Sequence, residues 1–162
     1  MCYTVRAMTL TTHAAIGAAI GAKLGDPTLG FSLGVASHFL VDMIPHGDAK
    51  LLAWYRAREH RGAAVGYVSM DAAVAAWLIF FLLHVADYKS KMAFSYTIAG
   101  AVLPDVLVGM YDVTKHEALK PFVKLHFFFH NFFSKKYGDV KLRYALVGQA
   151  IFILLLWHWH RL

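Results

Sequence analysis

The chain has 162 residues, of which 59% are hydrophobic, and its mean hydropathy is +0.50. Soluble domains use about 45–50% apolar residues, so this composition excludes an ordinary soluble domain and predicts an integral membrane protein. The net charge of +6 would suit nucleic acid, but the basic residues gather in polar segments between apolar blocks. Cys2 is the only cysteine, which excludes an intramolecular disulfide and a thiolate metal cluster.

Five apolar blocks predict five helices, each close to the ~17–25 residues that a membrane span needs. The blocks cover residues 8–24, 28–44, 63–86, 92–110 and 142–159. The predicted fold class is therefore all-α, an integral membrane bundle of about five helices. It forms a single domain over residues 1–162, with a cytoplasmic loop over residues 111–141. The first block follows Arg6, as in a signal peptide, but His13 interrupts it, so we interpret it as a helix of the mature protein.

Glycines recur about every four residues in the first two blocks. They are Gly17, Gly21, Gly25, Gly30 and Gly34. This small-xxx-small pattern lets membrane helices approach closely. It favours helix packing over a phosphate-binding loop.

The basic residues are divided unequally between the two sides that five spans create. The side with the N-terminus, loop 49–62 and loop 111–141 holds 12 Lys and Arg residues, counting Arg143, and the other side holds 4. The positive-inside rule then predicts a cytoplasmic N-terminus and an external C-terminus in the inner membrane. Anionic lipid headgroups are the expected partner of these lysines, and no nucleic acid is expected.

The most informative segment runs from Ser37 to Asp48. His38 and Asp42 are four residues apart, so they share one face of a helix. Pro45 disfavours helix at the residue before it, so His46 is expected just past the helix end, where the chain can return to the same ion. A buried carboxylate needs a cationic partner. We therefore predict a metal ion bound by His38, Asp42 and His46.

The five-helix topology places further ionisable residues at the same cytoplasmic depth. Such residues are costly within spans and usually face a cavity or each other. The predicted metal ligands are His13, His38, Asp42, His46, Asp105, His126 and His130. Asp71 is the candidate general base.

Some of these residues have a second interpretation. His126 and His130 lie among five phenylalanines, which is also typical of an amphipathic interfacial helix. Asp71 also fits a hydrogen bond to a neighbouring Ser or Tyr. His84, His158 and His160 fall on the opposite side and receive no role in the site. The last two flank Trp157 and Trp159, as in an interfacial aromatic belt.

Three short motifs carry a family resemblance: Thr12-His13, then His38-x-x-x-Asp42 leading to Pro45-His46, then Gly100-Ala101-Val102-Leu103-Pro104-Asp105. Over residues 10–110 they resemble motifs of the bacterial membrane-bound metal-dependent hydrolases. That family is similar to zinc-dependent phospholipase C and the S1/P1 nucleases, all-helical enzymes whose ligands include a His-x-x-x-Asp pair followed by another His. Of the family's His-Arg-Gly-x-Thr-His-Ser stretch, this chain has only His60-Arg61-Gly62. The Pro-Asp motif also follows the His-x-x-x-Asp motif here.

The resemblance and the ligand types together predict a membrane-embedded metal-dependent hydrolase of a phosphoester or lipid headgroup at the cytoplasmic interface. Histidine and carboxylate ligands suit Zn²⁺, and also Mn²⁺ or Fe²⁺. The ligand number allows one ion or two about 3.5–4 Å apart. The alternatives are a small metal- or proton-handling transporter, and a non-catalytic metal-binding membrane protein. The ionisable residues gather on one side instead of stepping across the bilayer, which favours the hydrolase.

Overall fold

The computed structural model describes residues 8–46, 60–138 and 140–160, without the side chains of residues 159 and 160. Its described residues are all-α and contain no strand, which confirms the all-α part of the predicted fold class. The helices are α1 (Leu10–Gly21), α2 (Pro27–Asp42), α3 (Arg61–Val85), α4 (Lys91–Thr114), α5 (Lys120–His130), α6 (Ser134–Tyr137) and α7 (Leu142–His160), with a 3-10 turn over Glu117–Leu119.

The long helices overlap the five apolar blocks of the sequence. Polar residues set where several of them begin. Thr9, Asp26 and Ser90 precede α1, α2 and α4, and each side chain accepts a hydrogen bond from a backbone N–H of the first turn. Pro27 occupies the first position of α2, where its missing N–H costs nothing. Of the predicted loop 49–62, residues 49–59 lie outside the described residues.

Close packing of α1 and α2 against α4 forms the centre of the bundle, and glycines make it possible. A Cβ at Gly17 would lie 2.8 Å from Ala101 Cβ, and one at Gly30 would lie 2.5 Å from Thr97 Oγ1. A Cβ at Gly34 would collide with the Thr97 carbonyl oxygen. The predicted small-xxx-small packing is therefore confirmed at these positions.

The packing prediction does not hold for every glycine of the pattern. Gly25 has open space around its Cβ position, since it lies between α1 and α2 rather than within either helix. Gly100, outside the pattern, makes the reciprocal approach from α4, where a Cβ would collide with the Phe31 carbonyl oxygen.

Two of the described helices, α3 and α4, are long and apolar enough to cross a membrane. Only 11% of the most apolar stretch of α3 is buried within the protein, and Val68, Trp77 and Phe80 are each more than 60% exposed. Soluble proteins rarely expose contiguous apolar surface on this scale. Helix α2 has 16 residues, and α1 and the apolar part of α7 are also shorter than this length requires, so the five predicted spans reduce to two by this criterion.

Helix α4 corrects the predicted end of the fourth block. It continues through Pro104 to Thr114, four residues beyond the predicted end at residue 110. Proline is tolerated inside apolar helices when other groups satisfy the backbone that it disturbs. The Ala101 carbonyl, one turn before Pro104, accepts a hydrogen bond from His38 Nδ1 at 2.8 Å. The predicted loop 111–141 is also largely helical, since it contains α5 and α6.

Candidate metal centre

The structure brings all seven residues predicted as metal ligands together at one end of the bundle. His13 comes from the first turns of α1, His38 and Asp42 from the end of α2, and His46 from the segment just after it. Asp105 lies on α4, nine residues before its end. His126 and His130 come from α5. All are at least 95% buried except Asp105, whose side chain is 16% exposed.

Asp42 lies at the middle of this cluster. Its Oδ1 is 3.3 Å from His13 Nε2. Its Oδ2 is 3.6 Å from His38 Nε2, 3.5 Å from His126 Nε2 and 3.9 Å from His130 Nε2. Metal–ligand bonds of ~2.0–2.2 Å place two ligand atoms of one tetrahedral zinc roughly 3.3–3.5 Å apart. The spacing around Asp42 is therefore close to that of ligands around a shared ion.

The cluster contains two groups that can each hold an ion. In the first, His38, Asp42, Asp105 and His126 each offer one ligand atom within 4.8 Å of the others. Asp105 Oδ1 lies 3.8 Å from His38 Nε2 and 3.9 Å from His126 Nε2. Two nitrogens and two oxygens form a ligand set that suits tetrahedral zinc.

The second group consists of Asp42, His46 and His130, again within 4.8 Å. The Nε2 atoms of His46 and His130 are 3.2 Å apart. Asp42 belongs to both groups, and a carboxylate has two oxygens with which it can bridge two ions.

Backbone carbonyls fix the orientation and tautomer of two histidines. A carbonyl can only accept a hydrogen bond, so His38 Nδ1 donates to Ala101 and His46 Nδ1 donates to Ile44. With Nδ1 protonated, Nε2 of the neutral ring keeps its lone pair. Histidines that bind metals are commonly oriented in this way.

Several polar atoms of the centre lack hydrogen-bond partners among the described residues. They are Nε2 of His13, Nε2 of His38 and both carboxylate oxygens of Asp42. Burying a charged group in this way is costly unless a cation compensates it. Burial also lowers the pKa of His126 below its ordinary value, although the attraction of Asp42 opposes this shift. The lowered pKa favours the neutral form of the ring, which is the form that binds metal. The residues present therefore fit a divalent metal ion.

His13 lies beside the first group. Its ring stacks on that of His38, with centroids 4.0 Å apart. Its Nε2 approaches both carboxylates, at 3.3 Å from Asp42 Oδ1 and 4.0 Å from Asp105 Oδ2.

Asp71 lies outside both groups, and its carboxylate is used at the start of α1. Its Oδ2 accepts a hydrogen bond from Leu10 N at 2.6 Å, and its Oδ1 accepts from Thr11 Oγ1 at 2.6 Å. A carboxylate here satisfies backbone donors that a helix leaves unpaired at its N-terminus. This placement supports anchoring of α1, and the predicted general-base role stays a prediction.

Sequence reasoning missed Gln149 of α7. Its Oε1 accepts hydrogen bonds from Thr9 Oγ1 at 2.7 Å and from Thr12 Oγ1 at 2.9 Å. Thr12 directly precedes His13, so Gln149 fixes the turn that presents this histidine. An isolated glutamine within an apolar helix could have indicated this contact, because polar residues in such helices usually form a hydrogen bond to a neighbouring helix.

The histidines that were given no role lie elsewhere. His84 is exposed and donates from Nδ1 to the Phe80 carbonyl, and His158 is exposed on α7. The side chain of His160 lies outside the described part.

Comparison of the chain with family models, curated proteins and solved structures gives no match. The chemistry of the centre is therefore inferred from its own residues.

Proposed function

We propose that this protein is an integral membrane, metal-dependent hydrolase that acts on a phosphoester of a lipid headgroup at the cytoplasmic interface. The observation that carries the proposal is the buried Asp42 carboxylate. Its oxygens have no hydrogen-bond partner among the described residues, and four imidazole nitrogens surround it at 3.3–3.9 Å. Such a charge is compensated most directly by a divalent ion.

The ligand types favour Zn²⁺, with Mn²⁺ or Fe²⁺ as chemically acceptable substitutes. His38, Asp42, Asp105 and His126 would hold one ion, and His46 and His130 would hold a second that shares Asp42. A bound divalent ion supplies Lewis acidity, which activates water and stabilises the leaving oxygen of a phosphoester.

The residues of the chain supply position and proton transfer. Asp105 is the most exposed member of the cluster, so the substrate side of the centre lies at α4. His13 Nε2, close to both Asp42 and Asp105, is placed to take a proton from water and hold it between two carboxylates. Burial of the other members excludes bulk water from competing at the ligands.

The depth of the centre supports a lipid substrate. Asp42 is the last residue of α2, which is a span in the proposed topology, so the centre lies at the level where that span ends. The proposed topology has α1, α2, α3, α4 and α7 crossing the inner membrane with the N-terminus in the cytoplasm. The excess of basic residues on that side supports this orientation.

The arrangement also fits the resemblance to membrane-bound metal-dependent hydrolases, since the His-x-x-x-Asp, Pro-His and Pro-Asp motifs converge. A transporter is less well supported, because the buried ionisable groups of the described residues collect at one end and form no path across the bundle.

The test is hydrolysis of a chromogenic phosphodiester and of a glycerophospholipid by detergent-purified protein. We expect turnover that stops with chelator, returns with Zn²⁺ and is faster with the lipid. A metal-replete sample without turnover on phosphate, carboxylic and amide esters would contradict the proposal.

A further inference from the structure

Helix α5 and the segment after it have two chemically different faces. The inner face is buried and carries the two ligand histidines, with Val123, His126, Phe127, His130 and Ser134. The outer face is apolar and aromatic. Its members are Leu125, Phe128, Phe132, Phe133 and Tyr137, which are 39–69% exposed. This outer set is called the aromatic patch below.

Positive charge surrounds the aromatic patch. Lys124, Lys135 and Lys136 are exposed, and none of them forms a salt bridge with a described acidic residue. Residues 115–143 contain seven Lys or Arg and only two acidic residues. One of these two, Glu117, is paired with Lys120 at 3.0 Å. The surface therefore complements a negatively charged partner.

The aromatic patch lies at a particular level of the bundle. Helix α5 packs against α2 and α4, and its histidines meet Asp42 at the end of α2 and Asp105 nine residues before the end of α4. Because α4 is a candidate membrane span, this end of the bundle corresponds to the interface between hydrocarbon and water. Aromatic and lysine side chains together are typical of that layer.

We propose that the aromatic patch, with Lys124, Lys135 and Lys136, is a binding surface for anionic lipids that lies in the headgroup layer. One helix then holds the metal centre with its inner face and the lipid surface with its outer face, so lipid phosphates lie one helix diameter, about 10 Å, from the ligands. The inference rests on the membrane location in the proposed function and is independent of metal binding and hydrolysis.

The first test measures what covers the aromatic patch. A nitroxide is attached at Phe128→Cys in a Cys2→Ser background, and the protein is placed in nanodiscs that contain phosphatidylglycerol. We expect the label to collide more with oxygen, which concentrates in lipid, than with a water-soluble nickel complex. A label at Glu117→Cys, on the exposed 3-10 turn, should show the opposite preference.

Two outcomes would overturn the proposal. A label at position 128 that is as accessible to nickel as the one at position 117 would place the aromatic patch in water. A label shielded from both reagents would show that protein, such as a second copy of the chain, covers it.

The second test concerns charge. Association of spin-labelled phosphatidylglycerol, relative to phosphatidylcholine, is compared between the wild type and the double variant Lys135→Glu, Lys136→Glu. Each basic residue near an anionic surface contributes roughly fivefold to association, so we expect a loss of preference of at least about threefold.

The matched control is Lys89→Glu with Lys91→Glu, which reverses two exposed lysines near the opposite end of α4. It should lower the preference by less than the Lys135→Glu, Lys136→Glu variant does, and metal content should stay constant in both variants. An equal loss in the two double variants, or no loss in either, would contradict a lipid-binding role of the aromatic patch.

Discussion

Two carboxylates near the start of α1 have opposite surroundings. Both oxygens of Asp71 accept hydrogen bonds from Leu10 and Thr11. Both oxygens of Asp42 are buried, have no hydrogen-bond partner among the described residues and face imidazole nitrogens. Neighbouring residues satisfy the first carboxylate, whereas the second is placed to bind a cation. Substitution should therefore affect the two residues in different ways.

Asp71→Asn should lower stability and leave catalysis nearly intact. The amide has one acceptor oxygen in place of two, so a donor at the start of α1 loses its partner, at a cost of about 1–3 kcal/mol. We expect a lower Tm in detergent, with kcat reduced less than about threefold. A kcat reduced roughly a hundredfold or more at unchanged Tm and metal content would instead show that Asp71 is the general base.

At the level of helices, the contact between α2 and α4 sets the geometry of the centre. Gly34 and Gly100 let the two backbones approach so closely that a side chain at either position would meet a carbonyl oxygen of the other helix. His38 and Asp42 follow Gly34 by one and two turns. The separation of the two helices therefore determines the distance from these ligands to Asp105.

Gly34→Ala should disturb the metal centre without touching a ligand. The added methyl group forces α2 away from the Thr97 carbonyl, which costs about 1–3 kcal/mol. Because ligand geometry tolerates only ~0.5 Å of displacement, we expect a lower Tm together with weaker metal retention during dialysis.

Gly66→Ala is the matched control for this prediction. Gly66 lies on α3 with open space around its Cβ position, and alanine is a better helix former than glycine by about 1 kcal/mol. Its Tm should be unchanged or higher, with metal retained. Similar losses in both variants would indicate that the α2–α4 approach has no special role.

The sequence predicted most of what depends on neighbours along the chain. Apolar blocks located the long helices, the four-residue spacing placed His38 beside Asp42, and the glycine pattern predicted close packing. What it missed depends on how distant helices are aligned. The hydrogen bond between Asp71 and Thr11 depends on how α3 is aligned along α1. The hydrogen bond from His38 to the Ala101 carbonyl depends on how α2 is aligned along α4. The spacing of residues along the chain does not determine either alignment.

For the whole molecule, the exposed apolar surface predicts how tightly the protein is held in the membrane. Helix α3 is barely buried, and α7 exposes Ile151, Leu154 and Leu155. Transfer of such surface into hydrocarbon is strongly favourable. The protein should therefore stay with the membrane pellet after washing with high salt or alkaline carbonate. Recovery in the supernatant without detergent would contradict the membrane architecture.

The central claim is that the cluster around Asp42 binds metal, and metal analysis of protein purified without added metal tests it most directly. The wild type should contain one or two equivalents of a divalent ion, predominantly zinc. Asp42→Asn, which removes the ligand charge at nearly constant volume, should lower this content roughly tenfold or more. His84→Ala, at an exposed histidine outside the cluster, should retain it. A wild type without metal, or equal metal content in the wild type and Asp42→Asn, would contradict the account.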